Sequence, residues 1–253
     1  MRATTLLAAL MFLLISLSMT RPSVQTGQRP GIIIPLYTYP TDRTWSRTIQ
    51  IKHAYPYVPI IVIMNPASGP GDSLDPNYVS GVKRLQLAGI TVLGYDHTSY
   101  TARPLSTVET DVRKYVQWYH VNGIFFDEMA DDGAPKEVTY YKALEAYAIS
   151  EGLTMTVGNP ATPVAVILIG IFNVLCIYEG TGMPPTSDLN RFKAYGPAGF
   201  YFIAYSLTTF PSSQVLSDLQ YVNWIYVTDA GGSNPYNKLP TYFSPEIAFL
   251  NTA

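Results

Sequence analysis

Apolar runs of strand length recur along the chain, and turn-forming residues bound each of them. Their near-continuous apolarity is typical of parallel strands that are buried on both faces. The runs lie at residues 31–37, 60–65, 90–96, 123–128, 154–159, 174–179, 200–205 and 223–229.

Helical patterns lie between these runs. Residues 75–89 predict a helix with Asp75 as its N-cap and Gly89 as its stop. Ser106 and Glu109 have the capping-box spacing at the start of another helix. Residues 137–152, 212–222 and 244–250 predict further helices, whereas those after the fifth and sixth runs are weakly marked. The apolar segment 164–172 is either a short buried helix or part of a longer strand.

Strand and helix alternate about eight times, which predicts an α/β fold, a single (β/α)₈ TIM barrel. An open doubly wound sheet is the alternative, because periodicity does not separate the two folds. No shift in composition divides the chain, so residues 28–253 are expected to form one domain.

The N-terminus has the pattern of an export signal. Arg2 precedes an apolar stretch at 6–17, which is shorter than the roughly 20 residues of a membrane-spanning helix. Small residues, Ser16 and Ser18, follow in positions that suit cleavage. Residues 1–20 are therefore predicted to be a secretory signal peptide, with an uncleaved anchor as the alternative, and the protein is expected to be secreted or at the cell surface.

Composition narrows the possible partners. The net charge is −2 and no basic stripe occurs, so nucleic acid is not an expected partner. The single cysteine, Cys176, cannot form an intrachain disulfide and is expected to be an inert core residue. We expect a monomer with no membrane contact beyond the signal segment.

The ends of the predicted strands differ from their interiors. Ligands of (β/α)₈ barrels bind at the carboxyl ends of the strands. Those ends are polar, acidic or aromatic, comprising Tyr37, Asn65, Asp96, His97, Asp127, Glu128, Asn159, Glu179, Tyr205 and Asp229.

The residues that several other reactions and cofactor sites require are absent from the predicted strand ends. No lysine ends a predicted strand, and no Gly-x-Ser-x-Gly or Gly-x-Gly-x-x-Gly motif occurs. The chain has three histidines, of which His97 ends a strand and is interpreted as a hydrogen-bonding residue rather than a metal ligand. Residues 229–233 could bind phosphate, although such a segment is more often a turn. We therefore expect neither a cofactor nor a metal.

Carboxylates remain, and glycoside hydrolysis needs two of them. Asp127 or Glu128 on the fourth strand and Glu179 on the sixth could supply them across a shared barrel mouth. Because side chains alternate along a strand, Asp127 and Glu128 should both face the mouth only if the strand breaks between them. Asp131 and Asp132 are interpreted as solvated residues at a helix start.

A set of ordered segments resembles a known family. The segments are GIIIPLYTYP, MNPASGPG with DPNY, GYDHTSYTAR, GIFFDE, VGNP and YEG. They resemble the spherulin-4 family, which includes glycoside hydrolase family 135. The resemblance implies a (β/α)₈ barrel, secretion and hydrolysis of α-1,4-linked N-acetylgalactosamine in the exopolysaccharide galactosaminogalactan.

The resemblance also implies which residues act. The family's essential acids fall on Asp127, Glu128 and Glu179, which are the predicted catalytic residues. We assign Asp127 as nucleophile or base, Glu179 as general acid/base and Glu128 as an assisting group. The predicted substrate-binding residues are Tyr37, Asn65, Asp96, His97, Asn159, Tyr205 and Trp45, the last as a sugar-stacking platform.

Two other functions stay open at this point. A non-catalytic glycan-binding surface or stress protein could use the same fold and groove. A glycosidase with a different linkage specificity could use the same acids. The polysaccharide substrate is the expected partner in each case.

Overall fold

The computed structural model describes residues 29–253, and the predicted signal segment lies outside them. The described residues form a closed barrel of eight parallel strands in sequence order, with β8 paired to β1. This closure confirms the (β/α)₈ TIM barrel and excludes the open doubly wound sheet. Strands β1 to β8 span Gly31–Pro35, Ile60–Met64, Thr91–His97, Gly123–Asp127, Met155–Gly158, Val174–Thr181, Phe200–Tyr205 and Trp224–Val227.

Helices follow seven of these strands. Helices α1 to α7 span Arg43–Ala54, Pro76–Leu87, Leu105–Lys114, Pro135–Ser150, Thr186–Asn190, Ser212–Asp218 and Phe243–Leu250. A π-helical segment at Tyr115–Tyr119 extends α3. After β5 the connection contains only a 3₁₀ turn at Val166–Leu168, in which Val166 and Ile167 are exposed. The segment 164–172 is thus neither a strand extension nor a fully buried helix.

The helix starts test the capping predictions. Asp75 caps α2 as predicted, because its carboxylate accepts a hydrogen bond from the Asn77 amide at 2.8 Å. The capping box predicted at Ser106 is wrong. Helix α3 begins at Leu105 after Pro104, so Ser106 lies inside its first turn.

Close glycine contacts identify which face of each strand points outward. A Cβ atom on Gly94 would lie 2.5 Å from the ring of Tyr115, which packs outside the barrel. Side chains alternate along β3, so Tyr95 points into the barrel and Asp96 points toward the helices. The register pairs Tyr95 with Phe125 and His97 with Asp127, which places Asp127 on the inward face as well.

The core is continuous from the barrel interior to the helix layer. Cys176 is fully buried, as predicted for a core residue, and Trp224 is also a core residue. No helix among residues 29–253 has both the length and the apolarity needed to cross a membrane.

Candidate active site

The fourth strand ends at its first acid. Strand β4 stops at Asp127, and Glu128 takes a left-handed backbone conformation with a φ of 51°. This conformation breaks the alternation that would otherwise turn Glu128 toward the helices. The structure thus meets the condition under which both adjacent carboxylates can lie at the barrel mouth.

An amide joins two of the predicted acids. The side-chain nitrogen of Asn159 donates hydrogen bonds to Asp127 Oδ1 at 2.8 Å and to Glu179 Oε2 at 2.7 Å. Its side-chain oxygen accepts from the Ala161 amide at 2.9 Å, which fixes the direction of the Asn159 amide group. Asn159 is only 3% exposed. Its role is therefore to hold the two acids, whereas the sequence predicted a substrate contact.

An irregularity in β6 brings Glu179 to the mouth. Cys176 pairs with Tyr201 and Glu179 pairs with Ile203, with a register shift between them. Tyr201 and Ile203 share a face of β7, so Cys176 and Glu179 share a face although they are three residues apart. One extra residue in β6 is thus accommodated as a β-bulge. Without it, Glu179 would point toward the helix layer.

Two tyrosines donate to the acids from the other side. The Tyr95 hydroxyl donates to Asp127 Oδ2 at 2.7 Å, and the Tyr236 hydroxyl donates to Glu179 Oε1. The Tyr37 ring meets both tyrosines edge to face, with centroid distances of 5.6 and 5.4 Å. Together these groups form a ring of contacts around the mouth.

Neither tyrosine donor was among the residues predicted from the sequence. Tyr95 could have been found, because it lies two residues before His97 and therefore shares its inward face. Tyr236 lies in the loop after β8, among turn-forming residues, where no pattern pointed to it.

The site raises the pKa of both acids. Burial raises the pKa of Asp127 and of Glu179, because a carboxylate loses hydration at this depth. Hydrogen bonds from the tyrosines and from Asn159 oppose this shift. Burial and the neighbouring carboxylates also raise the pKa values of Tyr95 and Tyr236, so both hydroxyls stay protonated and donate.

A strained turn holds Glu128. The Ser99 hydroxyl donates to Glu128 Oε2 at 3.1 Å, and the Tyr100 amide donates to the Glu128 carbonyl at 2.8 Å. Ser99, Tyr100 and Thr101 have φ values of 46°, 54° and 72°. Three consecutive left-handed residues that are not glycine cost roughly 1–2 kcal/mol each. We call residues 99–101 the left-handed turn.

The predicted substrate contact at Asp96 is wrong. Asp96 is fully buried on the helix side of β3, where Arg103 forms ion pairs with both Asp96 and Asp111. Burial raises the pKa of Asp96 to about 7, and the Arg103 guanidinium opposes the shift. Arg103 also donates to the His97 carbonyl at 2.8 Å, so this ion-pair network braces the base of the left-handed turn.

The predicted sugar platform at Trp45 is also wrong. Trp45 lies in α1, is 0% exposed and donates from its indole nitrogen to the Thr38 carbonyl at 3.0 Å. Its ring packs against Tyr78 at a centroid distance of 5.9 Å. A fully buried ring cannot stack on a substrate, so Trp45 is a core residue.

The remaining candidates lie at the same end of the barrel. Tyr37, Asn65, His97 and Tyr205 are partly exposed at the strand ends and stay predicted substrate contacts. The buried side-chain oxygen of Asn65 has no hydrogen-bond partner among the described residues.

Two nearby aspartates have structural roles. Asp229 accepts hydrogen bonds from the amide and the hydroxyl of Thr241, which ties down the loop after β8. Asp132 is exposed and accepts from the Ala134 amide at the start of α4, as its helix-start interpretation predicts. Residues 29–253 contain no group of three or more His, Cys, Asp or Glu that could hold a metal ion.

Comparisons with known proteins agree with this architecture. The model of spherulation-specific family 4 matches residues 31–250. Spherulin-4 of Physarum polycephalum is 30% identical over 236 residues, which cover 87% of this chain and 70% of that protein.

Solved structures share the fold. Aspergillus clavatus Sph3, crystallised in complex with GalNAc, is similar with a TM-score of 0.79 and 21% identity, covering 89% of this chain and 98% of that chain. A tryptophan synthase structure from Mycobacterium tuberculosis is similar with a TM-score of 0.52 and 14% identity, covering 89% of this chain and 92% of that chain. The family match extends over nearly the whole described barrel, and the chain therefore belongs to the spherulin-4 family, spherulation-specific family 4.

Proposed function

We propose that this protein is an exported glycoside hydrolase in which Asp127 and Glu179 carry the reaction. The observation that carries the proposal is the buried Asn159 amide, which donates to both carboxylates at the barrel mouth. Burial of the two carboxylates raises their pKa values, which weakens a fold but suits acid/base chemistry. A protein that only binds glycans has no need of this arrangement.

The spacing of the acids supports a retaining mechanism. The nearer oxygens of the two carboxylates, Asp127 Oδ1 and Glu179 Oε2, share one amide nitrogen and therefore lie no more than about 5.5 Å apart. Retaining glycosidases hold their carboxyl groups about 5–5.5 Å apart, whereas inverting enzymes need about 6.5–9.5 Å to fit a water molecule.

The hydrogen bonds support a division of roles. Asp127 is stabilised in its charged form by Tyr95, by Asn159 and by the Glu128 backbone amide, whereas Glu179 has Tyr236 and Asn159. More donors favour the ionised form, so Asp127 is the nucleophile and Glu179 carries the proton.

The reaction then follows in two steps. Glu179 protonates the glycosidic oxygen while Asp127 attacks the anomeric carbon, which releases the first sugar product. Glu179 next takes a proton from water, and this water cleaves the glycosyl–Asp127 ester. Glu128, held at the mouth by Ser99, assists by contacting the sugar.

The proposed substrate is an exopolysaccharide of α-1,4-linked N-acetylgalactosamine, cleaved within the chain. The family motifs support it, as does the fold similarity to Sph3, whose structure was determined with GalNAc. The exposed rim of the mouth suits a polymer that lies outside the cell, which agrees with the predicted signal peptide.

The test measures reducing ends released from this polymer. We expect wild-type protein to release oligosaccharides, and Asp127→Asn and Glu179→Gln to lose nearly all activity. Asp131→Asn is the matched control, because this partly exposed carboxylate lies beyond the acids on the same loop. Proton NMR of the first product should show retained anomeric configuration. Full activity in either acid variant would refute the site assignment, and no activity on amino-sugar polymers would favour a glycan-binding protein or another linkage.

A further inference from the structure

We infer that Tyr100 is a sugar-binding platform that extends the site beyond the acids, an inference that rests on the proposed function. Tyr100 is 63% exposed in the loop between β3 and α3, at the carboxyl end of the barrel. Exposure by itself decides nothing, because single exposed aromatic residues are common on protein surfaces. The backbone around Tyr100, however, holds it in an unusual conformation.

The backbone at Tyr100 is strained, and hydrogen bonds within the loop hold it in this conformation. Tyr100 is the middle residue of the left-handed turn, in a conformation that tyrosine and the β-branched Thr101 rarely adopt. Strain of this kind persists only where surrounding contacts impose it, and it concentrates at functional sites. The loop closes on itself, because the Arg103 amide donates to the Thr98 carbonyl at 3.2 Å and the Ala102 amide to the Ser99 carbonyl at 2.9 Å.

The contacts that impose the strain lead directly to the acids. The Thr98 amide donates to the Asp127 carbonyl at 2.9 Å, and the Tyr100 amide donates to the Glu128 carbonyl at 2.8 Å. From below, Arg103 anchors the loop to the buried Asp96. The ring of Tyr100 therefore starts from a backbone that is fixed relative to the catalytic carboxylates.

A tyrosine ring in this position suits a pyranose. Its flat face can pack against the apolar C–H face of a sugar, and its hydroxyl can bond to ring substituents. Because Tyr100 lies at the rim, it would contact a sugar unit beyond the two that flank the cleaved glycosidic bond. This places the platform in the recognition of polymers rather than of single sugars.

The experiment measures binding in the Glu179→Gln background, by calorimetry with α-1,4-linked N-acetylgalactosamine oligosaccharides. Tyr100→Asn removes the ring but keeps a residue that tolerates left-handed backbone. We expect it to weaken binding about tenfold, whereas Tyr100→Trp should retain it. Tyr57→Asn is the control, because Tyr57 is 74% exposed at the opposite end of the barrel. If Tyr100→Asn does not fold, Tyr100→Gly replaces it.

The outcomes separate this inference from the proposed function. If Tyr100→Asn in the Glu179→Gln background binds oligosaccharides as tightly as Glu179→Gln alone (the parent), while wild-type protein cleaves the polymer, Tyr100 is not a sugar platform and the proposed hydrolase activity stands. If binding depends on Tyr100 but wild-type protein releases no reducing ends, the platform stands and the hydrolase is refuted. If the parent binds no oligosaccharide of this series, both are refuted for this sugar.

Discussion

Replacing Asn159 by alanine removes an amide that donates hydrogen bonds to both proposed catalytic carboxylates. The amide is buried and points in one direction, because the Ala161 amide holds its oxygen. The substitution therefore leaves Asp127 and Glu179 each with one donor fewer, while Tyr95 and Tyr236 still hold the outer oxygens.

The expected effect follows from these contacts. A hydrogen bond to a charged group contributes about 1.5–3 kcal/mol. If one such contribution is lost from the transition state, kcat/KM falls by roughly 10- to 100-fold. Both hydrogen bonds from Asn159 lower the pKa of their acceptors, so their loss raises the pKa values of the pair. We expect both limbs of the pH–rate profile to move upward by about one unit.

The assay is the pH dependence of kcat/KM on an N-acetylgalactosamine oligosaccharide, with thermal unfolding as the check on folding. Asn159→Gln is a useful companion, because it keeps the amide but displaces it by one methylene group. If Asn159→Ala folds, keeps its activity within about threefold and keeps its pH profile, Asn159 does not hold the two acids in the transition state. The two acids would then be held by their tyrosines and, at Asp127, by the Glu128 backbone amide.

Three further substitutions test single groups. Tyr236→Phe removes a donor that lowers the pKa of Glu179, so the basic limb of the pH–rate profile should rise by about one unit. Burial raises the pKa of Asp218 to about 6, so its charged form destabilises the fold at higher pH. Asp218→Asn should therefore raise the free energy of unfolding by about 1–3 kcal/mol near pH 8 but not near pH 4, as measured by urea denaturation. Arg103→Ala should lower the free energy of unfolding by about 3–5 kcal/mol, since it leaves Asp96 buried and unpaired.

Each of these substitutions has a matched control. Tyr226→Phe removes a buried hydroxyl that bonds neither carboxylate, and its pH–rate profile should stay unchanged. Asp72→Asn and Arg191→Ala change exposed residues of the same types and should leave the free energy of unfolding nearly unchanged. An unshifted basic limb in Tyr236→Phe would contradict the acid role of Glu179. If Asp218→Asn has the same free energy of unfolding as wild type near pH 8, burial of Asp218 does not destabilise the fold. If Arg103→Ala leaves the free energy of unfolding unchanged, the ion pair with Asp96 does not stabilise it.

The fold was largely predictable because its signals are local. Apolar runs at regular spacing and helix starts such as Asp75 lie within a few residues of the elements that they define. The same sequence pattern fits a closed barrel and an open sheet. The pairing of β1 with β8, which closes the barrel, is therefore known only from the structure. The helix missing after β5 could not be predicted from composition, because the segment there is as apolar as a buried helix.

The three acids of the candidate site could also be predicted from the sequence. Asp127, Glu128 and Glu179 follow apolar runs, where carboxylates are costly and therefore informative. Their neighbours were not readable in the same way. Asp96 also lies near a strand end, yet it is buried toward the helices, because the face of a strand residue depends on register.

How the acids come together depends on the folded barrel. One extra residue in β6 turns Glu179 inward, and a left-handed residue after β4 keeps Glu128 at the mouth. Tyr236 arrives from a loop that is 57 residues distant in sequence from Glu179. The positions of the charged residues and the approximate ends of the strands follow from the sequence, because those are local properties. Which of them touch depends on register, bulges and loop paths, which exist only once the barrel has closed.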